Sequence, residues 1–309
     1  YGFMRNFSLN VGSKFVGYFT SNRNFFHVDP SVSLQYDNHT TKVSLNYAYG
    51  HQYLFQTGFS NVGLPIEFWL SADENNAPQY AHSLSLNAST SLFGGRYRLA
   101  GDLFYKRLYN QIEYGGNIFD VISSSYQLQD NLLHGNGRNY GFSLMLHKCT
   151  GDLTGWVSYT YTNARRKFKE MDPDSSFPAT HERPHELKAV LMYSPWKHWD
   201  FGATAVYASG TPFTLPESIA LINGNILTQY GEYNSNRLRP YFRMDISVNY
   251  KWFSRRVKEH GINLSLYNVS CMNNHLFWKI KIKDDMQFAY RPVSFVVRIL
   301  PSISYYCKF

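Results

Sequence analysis

The chain has 309 residues, is rich in tyrosine (25) and phenylalanine (23), and carries a net charge of +8 from 30 Lys+Arg against 22 Asp+Glu. Its mean hydropathy is -0.37, and no run of about 18 apolar residues exists, which excludes a transmembrane helix but not strands that cross a bilayer with one apolar face. The basic residues are scattered rather than gathered in a stripe, so nucleic acid is not an expected partner. Three cysteines without C-x-x-C spacing (Cys149, Cys271, Cys307) indicate neither a disulfide framework nor a zinc knuckle.

The chain opens at Tyr1 without methionine or an apolar export segment, so any export signal is expected to have been lost or to lie upstream. Strand-like sequence follows within a few residues. After the short turn DNHT (Asp37 to Thr40), Val43, Leu45, Tyr47 and Tyr49 alternate with Lys42, Ser44, Asn46 and Ala48. A long segment runs approximately from Leu54 to Gln79. Leu84, Leu86 and Ala88 then alternate with Ser83, Ser85 and Asn87, ahead of the turn FGGR (Phe93 to Arg96). A second long segment spans about Gln111 to Gly137. Past the turn TGDL (Thr150 to Leu153), Leu153, Val157, Tyr159 and Tyr161 alternate with Thr154, Ser158, Thr160 and Thr162. Period two is the spacing of a strand with one apolar and one polar face.

The third long segment, Arg165 to Arg183, leads into PATHERPHEL, Pro178 to Leu187. It contains the letters H-E-x-x-H, which bind zinc when a helix puts two histidines on one face. Pro184 speaks against that helix, because an interior proline removes a hydrogen bond and clashes with the preceding turn. The stretch is read instead as a loop-to-strand junction, followed by Leu187, Ala189, Leu191 and Tyr193 on one face. Next come the short turn PWKHW (Pro195 to Trp199) and a long segment, Gly210 to Arg239. In YFRMDISVNYKW, Phe242, Met244, Ile246, Val248, Tyr250 and Trp252 oppose Arg243, Asp245, Ser247, Asn249 and Lys251. Asp284 and Asp285 read as a solvated hairpin tip. The tail alternates from Val293 to Phe309 and reads as one strand.

These elements predict about twelve strands, many near the 9 to 11 residues that cross a bilayer at a tilt. Short turns gather at one rim and long loops at the other, as in outer-membrane barrels. A soluble sandwich or propeller also alternates, but sandwich strands average about 5 to 6 residues. The expected fold is therefore an all-β, transmembrane antiparallel β-barrel. No P-loop, nucleophile elbow or paired-cysteine motif is present, so no enzyme activity or cofactor is expected. The N-x-S/T matches at Asn38, Asn87 and Asn268 are read as chance.

Several segments, in order, resemble the C-terminal barrel of TonB-dependent outer-membrane transporters of the type found in Bacteroidetes. They are LPIEFWLSADENNAPQYAHSLSLNAS (Leu64 to Ser89), YKRLYNQIEY (Tyr105 to Tyr114), FPATHERPHELKAVLMY, YASGTPFTLP (Tyr207 to Pro216), NSNRLRPYFRMDISVNY (Asn234 to Tyr250), INLSLYNVSCMNN (Ile262 to Asn274) and the terminal LPSISYYCKF. The resemblance implies a bacterial outer-membrane location and a plugged barrel of twenty-two strands. Residues 1–309 would form a single barrel region matching its last twelve strands, without the plug and the early strands. Such a chain is a fragment, or one subunit of a split transporter. The partners implied are outer-membrane lipid, the remaining strands and plug in the same or a second chain, the TonB complex acting through the plug, and a surface lipoprotein.

The implied function is uptake of a metal chelate, cobamide, glycan or peptide too large for porins. Candidate ligand-binding residues are Glu67, Trp69 and Asp73 in a long loop, and Arg243, Asp245 and Lys251 on a polar strand face. Each is read first as part of the polar wall that a barrel lumen requires and second as a substrate contact. Phe309 resembles the terminal aromatic recognised by the outer-membrane insertion machinery. Two rival readings are a passive channel or adhesin anchored by the barrel, and a scaffold for a surface complex.

Overall fold

A computed structural model describes residues 2–4, 6–58, 67–115, 127–171, 174–222, 225–254, 257–282, 288–294 and 298–309. Asp284 and Asp285 lie outside them. Twelve long strands form the body of the structure. The first six are β1 (Phe7–Phe19), β2 (Asn24–Asp37), β3 (Thr41–Gln52), β4 (Gln79–Leu92), β5 (Tyr97–Tyr114) and β6 (Leu132–Lys148). The second six are β7 (Leu153–Phe168), β8 (His185–Trp196), β9 (Trp199–Ala208), β10 (Tyr241–Trp252), β11 (Glu259–Tyr267) and β12 (Leu300–Lys308). Each pairs antiparallel with its neighbour in chain order, and the short strand Gly2–Met4 pairs with β1. Among the described residues no ladder joins β12 to the opposite edge, so the sheet is open.

Register shows why these sequences choose strands. Leu34, Leu45, Leu86, Leu103 and Phe142 stand opposite one another across five consecutive strands, and Tyr47, Leu84, Tyr105 and Tyr140 form the next row on the same face. This face is not a core. Leu103, Leu144, Leu191 and Leu264 are about half exposed, and Phe15 and Ile303 much more so. Burial of such a face must come from an apolar medium, since large contiguous apolar patches are rare on soluble monomers.

Aromatic side chains bracket the belt. Trp196, Trp199, Tyr250 and Phe253 gather beside the short turns, with Trp199 and Tyr250 centroids 4.8 Å apart. On β9, Trp199 and Tyr207 are eight residues apart, roughly 27 Å along the strand. With the usual tilt, that is comparable to the apolar band of a transmembrane barrel.

Connections alternate in length. One rim carries 38–40, 93–96, 149–152, 197–198 and 253–258 between strands, and the turn at 93–96 uses Gly94 and Gly95 at φ 67 and 87, where a side chain would be strained. At the other rim lie 53–78, 115–131, 169–184, 209–240 and 268–299, together with the short 20–23. The long connections contain hairpins of their own: Leu54–Gly58 with Glu67–Ser71, Pro216–Ile222 with Asn225–Tyr230, and His275–Ile282 with Phe288–Ser294. The tail is thus two elements rather than one. Phe288–Ser294 folds back on His275–Ile282, and only Leu300–Lys308 joins the sheet. Alternation shows that residues are extended but not which partner they take.

Candidate functional site

The face opposite the belt is polar. Gln35, Ser44, Asn87, Asp102, Ser143, Thr160 and Glu186 form one cross-strand row from β2 to β8. In the adjacent row Ser33 Oγ donates to Asn46 Oδ1 (2.6 Å), and Asn46 Nδ2 donates to Ser85 Oγ (3.4 Å). A cavity of about 600 Å³ lies over this wall.

Toward the long-loop rim the strands depart from regular pairing, and each departure aims a polar group. Above Ser31 and Ala48 the β2–β3 ladder ends, next to Pro30, which has no N–H to offer. Asp29 takes over: its carboxylate accepts the His51 backbone N–H at 3.2 Å and lies 2.6 Å from His51 Nδ1. His27 stacks on His51 at 3.8 Å and contacts the Tyr53 hydroxyl at 2.7 Å. On β5 the register slips between Leu108 and Gln111, and Asn110 adopts φ 52. Such a bulge shifts the alternation by one residue, so Gln111 and Glu113 continue the polar face.

Glu113 then ties two long loops together. Thr180 Oγ1 donates to its carboxylate at 2.6 Å and the Tyr233 hydroxyl at 2.7 Å. Asn234 Nδ2 donates to the Pro178 carbonyl (2.9 Å), and its backbone N–H donates to Thr214 Oγ1 (3.0 Å). Glu182, almost wholly buried, accepts the Ala164 N–H at 2.8 Å and forms an ion pair with Arg237. Arg166 donates to Asn139 Oδ1 at 2.8 Å. Phe168 and Phe177 both meet the Tyr233 ring edge to face, at 5.8 and 6.0 Å. A third loop packs through Phe55, Ala72, Ile112, Tyr114 and Leu132, and the Tyr114 N–H donates to Thr57 Oγ1 at 2.9 Å. Beside this network lies a cavity of about 290 Å³ whose lining includes Gln111, Glu113, Arg166, Thr180, His181 and Trp69.

The sequence candidates fall into two groups that share no contact among the described residues. Glu67 and Trp69 sit on one strand of the first loop hairpin. Glu67 is bonded to Gln56 and lies 3.3 Å from His181 Nε2, while Trp69 is 66% exposed. Asp73 accepts the N–H groups of Asn75 and Asn76 at 2.9 and 2.7 Å, closing a turn. On β10, Arg243 Nε pairs with Asp245 at 3.0 Å and its guanidinium lies over the Tyr267 ring. Asp245 also accepts from Thr204 Oγ1 and the Asn268 N–H, and Lys251 pairs with Asp200 at 2.8 Å. Phe309 is 80% exposed beyond the last strand.

The zinc letters separate in space. His181 faces Glu67, Glu182 is held by Arg237, and His185 begins β8 with Nδ1 2.8 Å from the Tyr159 hydroxyl. Among the described residues no group of three or more His, Cys, Asp or Glu is placed to hold a metal. Sequence reasoning missed Glu113, Arg166, Thr180, Glu182, Tyr233 and Arg237. The available signal was the pair of quoted stretches PATHERPHEL and NSNRLRPYF, which the Glu182–Arg237 pair joins.

An open antiparallel sheet with an apolar outer belt, a polar inner wall and unequal rims defines part of a membrane β-barrel. The sequence profile of the family described as TonB dependent receptor-like, beta-barrel matches residues 2–269. The chain belongs to that family, and it is a protein of the bacterial outer membrane.

Solved structures agree with the fold. The ferripyoverdine receptor of the outer membrane of Pseudomonas aeruginosa aligns with TM-score 0.58 and 12% identity over 94% of this chain and 35% of its own. The ferric-catecholate import receptor Fiu from E. coli gives 0.59 and 16% over 98% and 43%. The ferric citrate transporter FecA gives 0.60 and 12% over 97% and 42%. The chain therefore spans about two-fifths or less of each of these structures. No curated protein sequence matches it.

Proposed function

We propose that this chain is the barrel part of a TonB-dependent active importer that moves a bulky nutrient across the outer membrane. The observation that carries the reading is the join between long loops over the polar face, in which Glu113 accepts from Thr180 and Tyr233, and Glu182 binds Arg237. A barrel that serves only as an anchor has no need to fix its outer loops through buried charge. The open sheet supports completion by further strands and a plug, in the same chain or in a second subunit, because unpaired strand edges are not tolerated in lipid. Energy would reach the plug from the TonB complex.

The segments quoted above support a Bacteroidetes-type receptor, in which a surface lipoprotein would cover the loops. Metal chelate, cobamide, glycan and peptide are the substrate classes in view. Ferric chelates come first, because the similar structures are named for ferripyoverdine, ferric catecholate and ferric citrate. Glu67, Trp69 and the cavity beside Glu113 are the proposed contacts of the outer site, and Asp73 shapes its loop. Arg243, Asp245 and Lys251 are proposed as the lower wall.

The test is growth of a deletion strain and its complemented parent on defined ferric-chelate, cobamide, glycan and peptide sources. A defect on one source, restored by the intact gene and not by a version with the TonB-contacting segment removed, is the expected result. A closed barrel made from this chain alone that conducts ions without a plug would overturn the importer reading.

A further inference from the structure

On the outward face, three neighbouring strands change chemistry at one height. Along β6 the outward residues run Leu146, Leu144, Phe142, Tyr140, Arg138 and Asn136. On β5 the same face reads Leu103, Tyr105 and Arg107, and on β7 it reads Tyr159, Tyr161, Asn163, Arg165 and Lys167. Arg107 stands opposite Arg138, and Arg138 opposite Arg165. Three arginines thus share one row on strands spaced about 4.8 Å apart. The row lies one pleat repeat, about 7 Å, beyond Tyr105 and Tyr140, and about 14 Å beyond Leu103 and Phe142.

Like charges directly opposite one another destabilise a sheet, so the row needs a counter-charge. The described residues supply little of it. None of the ion pairs among them includes Arg107, Arg138, Arg165 or Lys167. Arg107 instead lies 5.5 Å from the Tyr109 ring centroid. A cleft of about 500 Å³ has Arg107, Arg138, Arg165, Arg166, Lys167 and Asp174 in its lining, five cations to one carboxylate; of the five, Arg166 alone has the parity of the inner face, where it donates to Asn139.

We propose that this row binds the phosphate-bearing headgroup of an outer-leaflet lipid. The arginines stand on the face opposite the polar wall and its loop network, so a substrate in the lumen does not meet them. Below them the same face carries Tyr105, Tyr140 and Asn163 in one row and Leu103, Phe142 and Tyr161 in the next, which provides a largely apolar wall for acyl chains; a site for a soluble anion has no use for one. Their height, just past the tyrosines on the long-loop side, is that of headgroups in the leaflet facing outside. Guanidinium groups suit phosphate because they donate paired, charge-assisted hydrogen bonds in a fixed fork.

The inference rests on placement in the outer membrane and not on transport, so a protein that imports nothing would still bind the lipid. The full-length protein is extracted from outer membranes in mild detergent, and retained phospholipid and phosphorylated glycolipid are counted by native mass spectrometry. Combined Arg107→Gln, Arg138→Gln and Arg165→Gln substitution is expected to weaken retention on the order of a hundredfold, taking the usual contribution of each basic residue at an anionic membrane surface. Lys106→Gln, on the opposite face of β5, is expected to change nothing. If the triple variant fails to insert, Arg138→Glu alone is read in the same assay, with about a tenfold loss expected. Undiminished lipid in either arginine variant overturns the proposal. So does release of the lipid by inorganic phosphate alone, which would make the row a simple anion site.

Discussion

The belt and the long-loop rim are made from the same strands, yet they are held together differently. In the belt each side chain's role follows from parity: Leu144 faces outward, and its neighbour Ser143 faces the polar wall opposite Asp102 and Thr160. Pairing there is between chain neighbours, and the surrounding medium buries the apolar face. At the rim the medium is water and the loops must bury themselves. Contacts there join residues 55, 67 and 120 positions apart, through Arg237 to Glu182, Thr180 to Glu113, and Tyr233 to Glu113. The belt is therefore specified locally and tolerates polar change on one side only, whereas the rim depends on a few charged groups that must all be in place.

The sharpest way to break this contrast is to reverse the faces. Leu144→Arg is expected to cost about 2–4 kcal/mol if it lies near the bilayer midplane, while Ser143→Arg on the lumen side costs far less. Urea titration of the folded, heat-modifiable band in lipid vesicles would separate the two. At the rim, Glu182→Ala leaves Arg237 without its carboxylate and is expected to cost about 3 kcal/mol locally. It should expose 169–184 to protease while the barrel strands stay resistant. Thr180→Val removes one charge-assisted bond to Glu113, expected at about 1.5 kcal/mol, and should speed the same cleavage to a lesser degree.

The smallest effect is one of pH. Burial, helped by the positive charge of Arg239, holds the pKa of His275 below the ordinary imidazole value. The opened hairpin therefore binds the proton more readily than the closed one, and closure weakens as pH falls through about 6.5. Amide exchange in Phe277–Lys279, corrected for intrinsic rate, should show more frequent opening at acidic pH than at neutral pH. His275→Phe should remove the dependence.

The belt was legible in the sequence because period two survives wherever one face meets lipid and the other water. Met244, Ile246 and Val248 against Asp245 and Ser247 needed no structure to assign. Loop-length asymmetry also showed, since short turns such as Phe93–Arg96 fix the rim. Less of the upper rim could be read. The bulge at Asn110 turns Gln111 and Glu113 onto the polar face by a single left-handed residue, which alternation cannot reveal. Phe288–Ser294 continues the tail's alternation and yet pairs elsewhere. Glu182 was hidden inside a string that suggested zinc, and its partner Arg237 lies on another loop. Its position after Pro178 and before Pro184 did mark a junction, and it is there that the loop is fixed.

The central claim is that this sheet spans the outer membrane with its long loops outside. Cysteine accessibility tests it directly, in the full-length protein with Cys149, Cys271 and Cys307 replaced by serine, since these three are free thiols. A membrane-impermeant maleimide added to intact cells should label Trp69→Cys in the first long loop and leave Gly94→Cys in the opposite turn unlabelled until the cells are broken. Labelling of Gly94→Cys on intact cells, with Trp69→Cys protected, would contradict the account.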